Sequence, residues 1–151
     1  MILSRSSIYG LRASVLLAAK RETGFTNIRE LSDELDLSFY FLTKVLQRLT
    51  AAGIVESCKG PKGGVRLKEH PDDISFMDII VAIEGELNLH ECVLGLNNCG
   101  NASPCRFHGK WSGLKKEILE VLRETRLINI NKTSREFPDA QTVADLIRKK
   151  I

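Results

Sequence analysis

The chain has 151 residues, of which 43% are hydrophobic, 6% aromatic and 27% charged, with a net charge of +3. This is enough apolar content for one domain, or a small domain with an extension, and no apolar run nears the ~20 residues of a membrane span. Leu3 is followed at once by Ser4, Arg5, Ser6 and Ser7, which is no signal-peptide pattern, so a cytoplasmic protein without membrane association is expected. In a reducing compartment the four cysteines point to metal or redox chemistry rather than structural disulfides. The charge is uneven: residues 1–68 carry 11 Lys and Arg against 6 Asp and Glu, a balance of +5, whereas 69–151 are at −2. A basic first half fits a nucleic-acid-binding module.

Residues 5–20 place Ile8, Leu11, Val15 and Ala18 at helical spacing, with Leu16, Leu17 and Ala19 widening the apolar face, and predict a buried helix ended near Gly24. Asn27 followed three positions later by Glu30 predicts a capping box on a short second helix with Leu31 and Leu35 inward. Ser38 is a good cap for a third helix running to about Ala52, with Gly53 as its stop. Leu42, Val45, Leu46 and Leu49 follow the i, i+3, i+4, i+7 rule and face inward. The opposite face carries Tyr40, Thr43, Lys44, Gln47 and Arg48, polar and basic with one aromatic. Short helix, tight turn and longer basic helix make a helix-turn-helix with 38–52 as the recognition helix.

Ile54–Cys58 and Gly64–Leu67 then read as short strands flanking the glycine-rich basic tip Lys59-Gly60-Pro61-Lys62-Gly63. A hairpin directly after a recognition helix is a wing, whose lysines can meet phosphate or the minor groove. Cys58, inside its first strand, is expected to be a small buried residue. Pro71, Asp72 and Asp73 read as a linker. Ser75 caps a helix over 76–85, with Phe76, Ile79, Ile80 and Ile83 inward. Leu114, Ile118, Val121 and Leu122 stripe a helix from about 109 to 126, a natural dimer seam because regulators reading two half-sites need two-fold symmetry; packing against the chain's own first helix is the alternative. Residues 131–151 are polar, broken at Pro138 and weakly helical through Val143, Leu146 and Ile147. The fold class is therefore mainly α, a winged helix-turn-helix domain plus a long C-terminal helix.

Between the last two long helical patterns lies Cys92–His108, which holds three of the four cysteines and one of the three histidines. Its glycines, asparagines and Pro104 break any long helix or strand. A turn-rich loop carrying thiolates can wrap an inorganic centre. The spacing Cys92-x6-Cys99-x5-Cys105-x2-His108 lacks the close cysteine pairs of zinc ribbons, although a Cys3His zinc site stays open. An iron–sulfur cluster needs no paired spacing and accepts imidazole in place of one thiolate. A metal-free thiol switch is the third option. His90 is a spare candidate ligand nearer the preceding helix. No phosphate loop, no H-E-x-x-H and no nucleophile–base set appears, so no enzyme is expected.

Ser7–Ala13, Lys44–Leu49, Ala52–Ser57, Gly60–Leu67, Ile74–Ile80 and Ile83-Glu84-Gly85 together resemble the Rrf-type family of bacterial winged helix-turn-helix transcription regulators, in particular its IscR-like iron–sulfur members, across about 1–130. The resemblance implies a homodimeric transcription factor, a repressor binding a double-stranded DNA operator, with a winged helix-turn-helix domain over 1–70, a connecting helix in 71–91, a cluster-binding loop at 92–108, a dimerisation helix at 109–130 and a C-terminal extension at 131–151. It implies Cys92, Cys99, Cys105 and His108 as ligands of a two-iron two-sulfur cluster. In NsrR-like members a carboxylate of the partner's first helix ligates a four-iron cluster; the equivalent here is Ile8, which cannot. Ser38, Tyr40, Thr43, Lys44, Gln47, Lys59 and Lys62 are the candidate DNA contacts. Thr43 stands where IscR-like members carry Glu, which implies a different operator preference.

Overall fold

The computed structural model describes residues 3–87, 92, 94, 96, 103–130 and 143–148. Helix α1, Arg5–Ala19, is capped by Ser4, whose Oγ accepts from the Ser7 N–H at 3.2 Å. It runs through the centre of the molecule and buries Gly10, Ala13, Ser14, Leu16 and Leu17 as well as Val15, while Ile8, Leu11 and Ala18 of the expected stripe are only half-buried. The difference has a steric cause. At Gly10 the crossing helix α4, Phe76–Glu84, comes so close that a Cβ would lie 2.1 Å from Ile83 Cδ1. A single 3₁₀ turn, Arg21–Thr23, ends this segment.

Helix α2, Ile28–Leu35, is capped by Asn27, which accepts from the Arg29 N–H at 2.8 Å. The expected reciprocal partner, Glu30, is drawn away to the Lys20 ammonium at 2.5 Å, a charge-assisted bond that outcompetes a bond to the cap's backbone N–H. Asp36 then takes the left-handed conformation (φ 54°), which turns the chain into α3, Phe39–Ala51. Leu42, Val45, Leu46 and Leu49 are all buried, as their spacing predicts. Each such side chain contributes roughly 1.5–3 kcal/mol of burial.

Strands β1, Val55–Cys58, and β2, Gly64–Leu67, pair antiparallel with Val55 opposite Leu67 and Glu56 opposite Arg66. The hairpin is anchored beyond its own two strands. Thr26, just before α2, donates to the Val65 carbonyl at 2.8 Å and accepts from its N–H at 2.9 Å. Val55, Val65 and Leu67 enter the core, but Cys58 is exposed, contrary to its expected burial: it sits at the far end of β1, opposite Gly64, beyond the reach of the helices.

At α4 a capping box does form. Ser75 Oγ accepts from the Asp78 N–H at 3.1 Å and Asp78 accepts from the Ser75 N–H at 2.8 Å. Ile79, Ile80 and Ile83 are buried and Phe76 half-buried. Helix α5, His108–Glu124, lies along α4 but buries none of its own residues; Leu114 and Val121 are 47% and 61% exposed. A further turn, α6 (Leu127–Ile130), brings the chain back to the segment expected to be a linker. Leu127 is fully buried and donates to Ile74 O at 3.1 Å, and the Ile128 N–H reaches Pro71 O at 3.3 Å. Residues 71–74 are thereby packed structure. Helix α7, Val143–Arg148, lies against α1 and α2, with Arg148 Nε 3.1 Å from Glu34. No helix among the described residues is long and apolar enough to cross a membrane.

Candidate DNA interface and metal centre

The exposed face of α3 follows from its buried one: with the four aliphatic positions turned inward, Tyr40, Lys44 and Gln47 must turn out, and all three are exposed, Tyr40 at 82%. Gln47 offers the amide that pairs with an adenine edge, and Lys44 a mobile cation. Ser38 is at the start of the helix, but its Oγ is occupied as an acceptor from the Phe41 N–H at 3.2 Å. Thr43 is half-buried and its hydroxyl donates to Phe39 O at 2.7 Å, so its acceptor lone pairs and methyl group are what it can present to a base. Lys59 and Lys62 are exposed at the wing tip.

Arg48 does not belong to this face. Its Nη1 donates to the Ile83 carbonyl at 2.7 Å and closes the C-terminal end of α4. Arg66 is likewise committed, 2.5 Å from Glu56 across the hairpin with its guanidinium 4.4 Å above the Phe25 ring. A cation that sequence inspection passed over lies at the edge of the face instead. The Arg29 guanidinium is 5.1 Å from the centre of the Phe39 ring, at the start of the recognition helix. Nothing in the local pattern links residues 29 and 39.

Behind this surface, Lys20 ties α1 to α2 through Glu30 and Glu34, and Arg148 adds α7 to the same carboxylate. Burial works against the Lys20 charge, but the hydrogen bonds that its ammonium donates to Glu30 and Glu34 outweigh it and hold its pKa above the ordinary lysine value. Burial similarly opposes ionisation of Glu34, and Lys20 and Arg148 outweigh it, so its carboxyl lies below the ordinary range.

Of the four expected ligands, Cys92, Cys105 and His108 are half-buried and Cys99 lies outside the described residues, as does the spare candidate His90. Cys105 and His108 are joined by one turn, the His108 N–H donating to the Cys105 carbonyl at 2.9 Å. His108 opens α5, which has no capping side chain and no acidic residue in its first turn. The positive end of a helix thus directly follows Cys105, an arrangement that favours an anionic group. Among the described residues no three His, Cys, Asp or Glu side chains gather at one point. As donor chemistry, soft thiols and one imidazole, with Cys105 and His108 at an uncapped helix start, fit an iron–sulfur group. Phe107 and Trp111 stack at 6.5 Å on the same turn.

Comparison with known proteins agrees with the winged-helix architecture. The family profile Rrf2, described as an iron-dependent transcriptional regulator, matches residues 3–133. The regulator NsrR of Bacillus subtilis strain 168 is 31% identical over 150 residues, covering 99% of this chain and 92% of that protein. Among solved structures, CymR, the global cysteine regulator of B. subtilis, superposes with a TM-score of 0.74 at 29% identity over 85% of this chain and 95% of its own. IscR of T. potens does so with a TM-score of 0.72 at 28% identity over 93% of each chain. A basic recognition helix, a wing held by the segment before α2 and a profile match over most of the chain make this protein a member of the Rrf2 family of winged-helix transcriptional regulators.

Proposed function

We propose that this regulator is a homodimeric, cytoplasmic repressor that senses iron–sulfur cluster status, or the redox, nitric oxide or iron conditions that change it, through a two-iron two-sulfur cluster held by Cys92, Cys99, Cys105 and His108. The observation that carries the reading is the Cys105–His108 turn at the uncapped start of α5, in a segment that also bears Cys92 and Cys99. The iron-dependent description of the family and the likeness to NsrR and IscR proteins support it. When bound, such a cluster supplies one-electron redox chemistry and a bond network whose loss is a signal.

The chain's own residues do the rest. Cys92 follows α4 and Cys105 precedes α5, so ligands from both sides of the segment restrain how α5 departs from α4. The apolar stripe of α5, exposed at Leu114 and Val121, is the seam for a second copy. In the dimer it sets the separation of the two recognition helices. Tyr40, Thr43, Lys44 and Gln47 read base edges, with Ser38 at the helix start, and Lys59 and Lys62 meet the backbone or minor groove. Residues 1–70, 71–91, 92–108, 109–130 and 131–151 then serve as reader, connector, sensor, dimer helix and tail.

The test is an anaerobic absorption spectrum with iron and sulfide analysis on wild type, Cys99→Ala and His108→Ala. About two iron and two sulfide per chain, lost in Cys99→Ala and spectrally shifted in His108→Ala, is the expected outcome. The chain's one tryptophan, Trp111, is three residues beyond His108, so its fluorescence should drop on reconstitution and recover on chelation. A colourless protein after anaerobic reconstitution would favour the second reading, a thiol switch or zinc-stabilised regulator.

A further inference from the structure

The basic residues of the winged domain divide into two groups. Lys20 is held by Glu30 and Glu34, Arg21 by the Glu69 carbonyl at 2.9 Å, Arg48 by the Ile83 carbonyl and Arg66 by Glu56. These cations are engaged within the fold. The other seven, Arg5, Arg12, Arg29, Lys44, Lys59, Lys62 and Lys68, are exposed and have no ion-pair partner among the described residues. Three of them, Lys44, Lys59 and Lys62, are already placed on the recognition helix and the wing. Of the remaining four, Arg29 is the one whose guanidinium is stacked on a ring of the recognition helix, whereas Arg12 lies over Tyr9 of its own helix.

The position of Arg29 is defined from two sides. Thr26, three residues earlier, is bonded to Val65 of the wing, and the guanidinium itself lies over Phe39, the first residue of α3. Arg29 therefore stands between the base of the wing and the beginning of the recognition helix. We propose that Arg29, held against the face of Phe39, is a phosphate anchor that takes the DNA backbone beside the groove entered by α3. The inference rests on the reading of α3 and the wing as the DNA-binding surface.

The chemistry favours this role. A guanidinium is weakly hydrated and presents a planar fork of donors that matches two phosphate oxygens. Stacking on an aromatic ring leaves that fork unobstructed at the ring's edge and removes rotamer freedom before DNA arrives. In helix-turn-helix proteins the helix preceding the recognition helix crosses the backbone, where a contact positions the protein without reading sequence. A purely structural Arg–Phe pair would contribute to stability and leave the salt dependence of binding unchanged.

No operator is needed for the test, because a phosphate contact is independent of sequence. Binding of the full chain to a labelled mixed-sequence duplex of about 30 base pairs is followed by anisotropy between about 50 and 200 mM salt. The proteins compared are wild type, Arg29→Gln, Arg29→Lys, Phe39→Leu and Lys62→Ala, each checked for an intact thermal transition. Arg29→Gln should lower the slope of log affinity against log salt by about 0.9 per chain, which is about a 3.5-fold smaller loss of affinity across that range. Arg29→Lys should keep the slope and bind more weakly, having lost the fork. Phe39→Leu should also keep the slope and bind more weakly, having lost the preorganisation. A wild-type slope in Arg29→Gln, with Lys62→Ala still lowering it, overturns the inference and leaves the DNA-binding surface standing. Absence of salt-dependent binding by wild type overturns both.

Discussion

Gly64→Ala is the substitution that most directly probes how the wing is fixed. Gly64 has φ +152°, and a Cβ there would lie 2.1 Å from Thr26 O, 2.5 Å from Thr26 C and 3.0 Å from Asn27 N. All three atoms are backbone of the segment that begins α2, so no side-chain rotation relieves the clash. Relief requires separating the hairpin from Thr26, which breaks the bonds of 2.8 and 2.9 Å between Thr26 and Val65. Two such bonds contribute about 1 kcal/mol each, and the unfavourable backbone conformation adds about 1–3 kcal/mol. The expected loss is therefore about 3–5 kcal/mol, a large share of a typical total of about 5–15. Gly60→Ala is the matched control: it too has positive φ (+108°), but a Cβ there meets nothing within 4 Å. Urea unfolding of the two variants separates strain alone from strain plus clash. DNA binding by the folded fraction of Gly64→Ala should fall as well, since Lys59 and Lys62 ride on the displaced hairpin. If Gly64→Ala costs no more than Gly60→Ala, the wing is not held by Thr26 and the reasoning fails.

Lys62→Ala should weaken binding to all duplexes and flatten the salt slope, whereas Thr43→Ala should change the preferred sequence; equal losses on selected and random DNA for both would refute that division. Val121→Lys on the exposed stripe of α5 should shift sedimentation from dimer to monomer without lowering the melting temperature of the winged domain, and an unchanged dimer would place the seam elsewhere. The Glu34 carboxyl lies below its ordinary value of 4.5, so its contribution to stability is complete above that pH and is lost as pH falls through the folded-state value. Glu34→Gln should accordingly show a smaller loss of urea midpoint on acidification from about pH 6 to about pH 3 than wild type. Lys20 has the opposite sign: held above 10.5, it contributes fully below that value and loses its contribution as pH rises through the folded-state pKa.

Much of the fold was legible one turn at a time. The caps Ser38, Asn27 and Ser75, the stop at Gly53, the inward set Leu42, Val45, Leu46 and Leu49, and the glycine-rich tip between two short strands all act over a few residues, and a residue's own neighbours decide them. The exposed face of α3 followed from the buried one by helical geometry, and the thiol-rich segment was visible as composition. What the tertiary structure alone decided are interactions between distant elements. Arg48 left the DNA face for a carbonyl 35 residues away, and Cys58 came out exposed because its end of the hairpin extends past the helices. The presumed linker at Pro71 became packed structure when α6 returned to it, and Glu30 gave up its cap for Lys20. The pairing of Arg29 with Phe39 belongs to the same class. The physical reason is common to all five: caps and periodicity act within a turn or two of the chain, whereas ion pairs, ring contacts and burial depend on where separate elements come to rest.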